Sequence, residues 1–108
     1  MPYRLVVADV DGTLLGEGRP ISPAVLDAVG RLTERGVYFT VATGRTPEGA
    51  GPICRQLGAN APAILYQGTE IWDLDAGRPI YRSAIPLACA REFIATVAAR
   101  DLHLNVYL

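Results

Sequence analysis

Asp9-Val10-Asp11-Gly12-Thr13-Leu14 places two carboxylates one residue apart, followed by a glycine and a hydroxyl. Alternate residues of a strand point the same way, so Asp9 and Asp11 can face one site if the extended geometry persists. A carboxylate is a weak nucleophile, but it can form an acyl phosphate and so split one hard displacement into two easier ones. A dianionic phosphate repels it, so a cation is needed. Mg2+ prefers oxygen ligands and commonly takes one or two carboxylates plus waters. The leaving alkoxide then needs a proton. One aspartate can attack while the other donates that proton and later activates water. Gly12 permits a tight turn near a ligand, and Thr13 can hydrogen-bond within the turn and hold the aspartates in place. Asp-Gly alone marks only a turn; the full run after an apolar strand points to chemistry.

That strand is Tyr3-Arg4-Leu5-Val6-Val7-Ala8, an apolar run read as strand one over about Arg4 to Ala8. In open α/β sheets, ligands bind at this end of a strand. A loop from Gly12 to Pro20 follows. Ser22-Pro23 then opens a helix, with serine as N-cap and proline at its first position. Val25, Ala28, Val29 and Leu32 form its apolar face, and Gly36 suits its C-terminal stop. Val37 to Ala42 reads as strand two, closed by Thr43-Gly44-Arg45. Thr46-Pro47-Glu48 opens a second helix. Gly49, Gly51 and Pro52 interrupt it, so regular structure is expected only from Pro52 to Leu57. Ala63 to Tyr66 reads as strand three. The alternation predicts an α/β chain with right-handed crossovers and a parallel sheet.

The texture changes after Gln67-Gly68. Thr69 to Leu74 and Pro79 to Ser83 read as two short strands around the turn Asp75-Ala76-Gly77-Arg78. Pro86 to Arg100 reads as a helix with Ala90, Phe93, Ile94, Val97 and Ala98 on one face. Leu102 to Leu108 alternates and reads as a half-buried strand. The division expected is residues 1–68 and residues 69–108. Trp72 and Tyr81 are expected to pack within the second part, and Glu70, Asp73 and Asp75 to form a solvated turn region. His103 reads as a strand-face residue.

The 108 residues are 50% hydrophobic and 19% charged, which argues against global disorder. A net charge of -1 gives no footprint for nucleic acid or an anionic membrane. Cys54 and Cys89 form no CxxC pair and are expected as buried free thiols of a reducing cytosol. No apolar stretch approaches the roughly 20 residues of a membrane span, and the N-terminus leads straight into a strand. The expectation is a soluble, cytoplasmic protein.

Asp9-Val10-Asp11-Gly12-Thr13-Leu14-Leu15 resembles the first motif of the haloacid dehalogenase (HAD) phosphohydrolase superfamily. Val41-Ala42-Thr43-Gly44-Arg45 resembles the second motif of its Cof-type branch, which includes sugar-phosphate phosphatases. The match spans about residues 4–85. It implies strands one to three of a HAD-like Rossmannoid parallel sheet, then the start of an α/β cap. It also implies a Mg2+-dependent phosphate monoester hydrolase that acts on a small phosphorylated metabolite through an aspartyl-phosphate. By this resemblance Asp9 is the nucleophile and Asp11 the general acid/base. Mg2+ sits on the Asp9 carboxylate and the Asp11 backbone carbonyl. The Thr43 hydroxyl binds the transferring phosphoryl group, with the Gly44 N–H nearby. Arg45 is a further phosphate-binding candidate, against the alternative of an ordinary surface arginine. Gln67-Gly68-Thr69 stands where the family often carries Asn-Gly-Ala.

Family members carry a later lysine and a later acidic pair. This chain contains no lysine, since all ten basic residues are arginine, and no acidic pair follows Asp75. Strand one, central in the family sheet, is expected here at an edge. Exposed apolar edges invite pairing, so the chain is expected to dimerise, swap elements or pair with a complementing segment. Two rival readings stand beside hydrolysis. One is a non-catalytic binding or assembly module with a vestigial phosphate site. The other is a phosphotransferase or phosphomutase sharing the first motif. A receiver-type phosphoacceptor would need an aspartate after strand three, where Gln67 stands.

Overall fold

Strand β1 (Leu5–Ala8) pairs in parallel with β2 (Tyr38–Val41), with Leu5 opposite Tyr38 and Ala8 opposite Val41. The computed structural model describes residues 2–108. β3 (Ala63–Leu65) lies beyond β2, joined by a parallel bridge between Ala42 and Ile64. The parallel α/β sheet expected from the alternation is therefore present. β1 is slightly shorter than expected, because Arg4 lies outside it.

The first crossover helix, α1 (Pro23–Glu34), begins as the sequence dictates. The Ser22 hydroxyl accepts the Val25 N–H at 3.3 Å, and proline fills the first turn. Gly36, at φ +78°, turns the chain out of it. The second helix, α2, spans Pro47–Leu57, and this corrects the expectation that Gly49, Gly51 and Pro52 would delay it. Proline removes one helical hydrogen bond. Against that loss stand the Thr46 side chain capping the Gly49 N–H, the left-handed Gly58 closing the helix, and burial of Ala50, Gly51, Cys54 and Leu57. Tertiary packing outweighs propensity here.

The core lies between these two helices and one face of the sheet. Val10, Val29, Phe39, Val41, Ala50, Leu57, Ala63 and Leu65 are its buried members. Each large side chain buried this way contributes roughly 1.5–3 kcal/mol. The opposite face buries Thr40 of β2 but leaves apolar residues uncovered. Leu5 and Val7 of β1 and Tyr38 of β2 are 51%, 42% and 53% exposed. Among the described residues no strand pairs with the outer side of β1.

After a tight turn at Tyr66–Gly68 the chain forms a hairpin, β4 (Glu70–Asp73) and β5 (Arg78–Arg82). β4 pairs antiparallel with β3, so the hairpin and β3 form a three-stranded sheet that meets β1 and β2 at the Ala42–Ile64 bridge. The division after Gly68 coincides with this turn, but hydrogen bonds run across it. Glu70 corrects its expected place in a solvated turn. It is 8% exposed, accepts from Arg82 Nε at 2.6 Å and also accepts the Trp72 indole N–H. Trp72 packs against the core, whereas Tyr81 is half exposed rather than packed. Asp73 caps the hairpin turn by accepting the N–H groups of Asp75 and Ala76.

Helix α3 (Leu87–Ala98) forms as expected but buries none of its residues. Leu102 to Leu108 does not form the expected strand. Its alternation is present, but among the described residues it finds no partner strand, and a lone strand leaves its backbone to water. In this tail the Tyr107 ring meets Tyr66, with centroids 5.1 Å apart. Cys54 is buried and Cys89, contrary to expectation, is exposed; both are free thiols. The chain exposes 7791 Å², against roughly 5,800 Å² for a folded monomer of this mass. Among the described residues no helix is long and apolar enough to cross a membrane.

Candidate functional site

Val10 is the anchor of the site. Its side chain is fully buried, while Asp9 and Asp11 on either side are exposed. Its carbonyl accepts the N–H groups of Thr13, Leu14 and Leu15 at 3.2, 2.9 and 3.0 Å. This knots the chain directly after β1. Gly12, at φ +81°, makes the knot and donates its N–H to Leu15 at 2.9 Å. Thr13 donates its hydroxyl to Asp9 Oδ2 at 3.0 Å. Thr13 thus restrains Asp9, while the other Asp9 carboxylate oxygen has no partner among the described residues.

The second segment arrives from β2. Thr43 is buried, with its N–H donated to Ile64 and its carbonyl accepting the Gln67 N–H. Its hydroxyl accepts the Arg45 N–H at 3.2 Å and keeps its own proton available. Gly44 is exposed at the turn. Arg45 crosses to the first segment and donates to both oxygens of Asp11, Nη2 to Oδ1 at 2.7 Å and Nε to Oδ2 at 2.9 Å. Its other Nη reaches the Gly49 carbonyl at 3.4 Å. The two motifs therefore meet at the C-terminal edge of the parallel strands.

This pair favours the ionised form of Asp11. Hydrogen bonding to the Arg45 guanidinium, with its positive charge, holds the Asp11 carboxyl below its ordinary value of 3.8. Release of the guanidinium would let that carboxyl return toward its ordinary value.

Two oxygens suit a hard cation. These are the unpartnered Asp9 carboxylate oxygen and the Asp11 carbonyl, which accepts no backbone hydrogen bond among the described residues. Mg2+ keeps several waters and needs few protein ligands, so this donor set fits it. Among the described residues no group of three His, Cys, Asp or Glu side chains gathers around a metal position.

Sequence reasoning left four neighbours, Glu17, Arg19, Tyr66 and Gln67, without a role. Gln67 lies across Gly44; a Cβ on Gly44 would collide with its amide, 2.9 Å from Cδ alone. Tyr66 and Gln67 hold positive φ of 49° and 57°, a costly conformation for residues with side chains. Glu17 and Arg19 line an open cleft of about 580 Å³ together with Asp11, Gly12 and Arg45. The available signal was the glycine spacing, Gly12, Gly16 and Gly18, which folds the loop back on itself.

A family model for haloacid dehalogenase-like hydrolases matches residues 6–108. The chain is 35% identical over 105 residues to an HMP-PP phosphatase of Serratia proteamaculans, covering 97% of this chain and 38% of that protein. It is 28% identical over 108 residues to the pyridoxal phosphate phosphatase YbhA of Escherichia coli, covering 100% of this chain and 40% of that protein. Among solved structures it resembles a phosphatase of the haloalkanoate (HAD) superfamily from Bacteroides thetaiotaomicron. The TM-score there is 0.81 at 27% identity, over 92% of this chain and 36% of the other. The chain spans about two-fifths of the length of the curated relatives it matches.

Proposed function

This chain belongs to the haloacid dehalogenase-like hydrolase family, and we propose that it carries the nucleophile-bearing part of a Mg2+-dependent phosphate monoester hydrolase. One observation carries this reading. Arg45 of the second motif grips Asp11 of the first, which sets Thr43, Gly44 and both aspartates on one edge of the sheet.

In this reading Asp9 attacks phosphorus, and the bond from phosphorus to the ester oxygen breaks. Asp11 gives its proton to the leaving alkoxide. Water then attacks phosphorus, passes a proton to Asp11, and the bond to Asp9 breaks. The Thr43 hydroxyl and the Gly44 N–H hold phosphoryl oxygens. A phosphoryl dianion competes well for a guanidinium, so its arrival draws Arg45 off Asp11 and frees that carboxyl to carry a proton. Mg2+, held by Asp9 and the Asp11 carbonyl, would neutralise charge and orient the phosphoryl group. The similarity to phosphatases named for HMP-PP and pyridoxal phosphate supports a small phosphorylated metabolite as substrate. The Cof-type second motif supports sugar phosphates.

Phosphate release tests this, measured on sugar phosphates, pyridoxal phosphate and an aryl phosphate, with and without Mg2+, for the chain and its Asp9→Asn variant. Release that requires both Mg2+ and Asp9 is expected. A folded sample with no release moves the chain to a second reading, a non-catalytic assembly or binding module. The exposed apolar sheet residues Leu5, Val7 and Tyr38 are the observation that favours it.

A further inference from the structure

The turn at Tyr66–Gly68 is locked to both ends of the second motif. The Gln67 N–H donates to the Thr43 carbonyl and the Tyr66 N–H to the Arg45 carbonyl, each at 3.2 Å. Tyr66 and Gln67 both take positive φ in this turn, and residues with side chains held that way cluster at ligand-binding sites. The turn aims the Gln67 side chain at Gly44. Of the eleven glycines, Gly44 alone would bring an added Cβ within 3.0 Å of a residue elsewhere in the chain, and that residue is Gln67. Its amide nitrogen therefore stands directly beside the Gly44 backbone, and both residues are exposed. Among the described residues neither the Gly44 N–H nor the Gln67 amide has a hydrogen-bond acceptor. Adjacent donors without an acceptor are the arrangement that an anion completes.

We propose that Gln67 is a substrate-contacting residue, its amide N–H joining the Thr43 hydroxyl and the Gly44 N–H in holding the transferring phosphoryl group. The inference rests on the phosphatase reading above. The three donors come from two segments that backbone hydrogen bonds fix against each other. Donors set in place before the charge arrives cost no reorganisation when it does. A neutral amide also suits this place. It gives a hydrogen bond to an anion without the pull toward a nearby carboxylate that a guanidinium has, as Arg45 shows with Asp11. The pairing explains why residue 44 is glycine: any side chain there would push the Gln67 amide away from the Gly44 N–H.

Phosphorus NMR titration with inorganic phosphate, at saturating Mg2+, tests this on the chain and on Gln67→Met, Gln67→Glu and Thr43→Val, each checked for folding by circular dichroism. Methionine keeps the length of the side chain and its cover over Gly44 but carries no donor. Gln67→Met should weaken phosphate by about ten-fold, the loss of one hydrogen bond to a charged group at an open site. Gln67→Glu keeps the shape, sets a carboxylate against the anion and should weaken phosphate further. A residue that only fills space over Gly44 would leave both affinities at the parent value. That result, with Thr43→Val still losing phosphate, overturns the role of Gln67 and leaves the phosphatase reading standing. Either Gln67 variant decides alone if the other fails to fold. A parent chain that binds no phosphate, or binding indifferent to Thr43→Val, overturns the phosphatase reading and the Gln67 contact with it.

Discussion

Arg45 holds Asp11 by both carboxylate oxygens, at 2.7 and 2.9 Å, although 34 residues separate them in the chain. The contact joins the ends of β1 and β2 through side chains where the strand ladder has already stopped. It also has a pH consequence of definite sign. The pair depresses the Asp11 pKa from 3.8. Its contribution to stability is therefore present above 3.8 and is lost as pH falls through the lower folded-state value. Arg45→Met should raise the Asp11 pKa, read by NMR titration of its carboxyl carbon, and abolish that acid-side loss. An Asp11 titration indifferent to the substitution would show that the pair does not persist in solution.

Gly44 and Gln67 are coupled by space. Gly44→Ala drives a methyl group into the Gln67 amide. The obstructing atoms are the mobile end of a side chain, so the cost should stay below about 1.5 kcal/mol. Gln67→Ala in the same chain should cancel it. A double-mutant cycle by urea unfolding reads the coupling, and strict additivity of the two changes would contradict the contact.

Gly12 and Gly30 respond to alanine with opposite signs. Neither position crowds an added Cβ. Gly12 sits at φ +81° in the knot after β1, where a side chain costs about 1–2 kcal/mol in backbone strain. Gly30 lies inside α1, where alanine should stabilise by about 0.5–1 kcal/mol. Thermal unfolding of the two variants should bracket the parent protein, and equal shifts of one sign would refute this account of the Gly12 turn.

The uncovered sheet face predicts behaviour in solution. Leu5, Val7 and Tyr38 form an apolar patch beside an unpaired strand edge, the combination that drives association. Sedimentation of this 108-residue polypeptide should show concentration-dependent self-association, and Val7→Lys should reduce it. A chain that stays monomeric across the concentration range, with or without the substitution, would sink the idea.

The sequence by itself determined the local elements. Ser22-Pro23 and Thr46-Pro47 mark the helix starts because a hydroxyl cap and a fixed φ act within one turn. The apolar runs mark the strands because burial on a sheet face has a short period. Asp9, Asp11, Thr43 and Arg45 were legible because each follows such a run, at the strand end where α/β sheets bind ligands. Tertiary structure alone decided the rest. Pro52 sits inside α2 because the core buries its neighbours. Glu70 is buried because Arg82, 12 residues away, supplies its charge partner. Leu102–Leu108 alternates like a strand but remains unpaired, because a ladder needs a second strand that periodicity cannot supply. Gln67 lies against Gly44 through a close approach of segments distant in sequence, and such distances are set only when the chain packs.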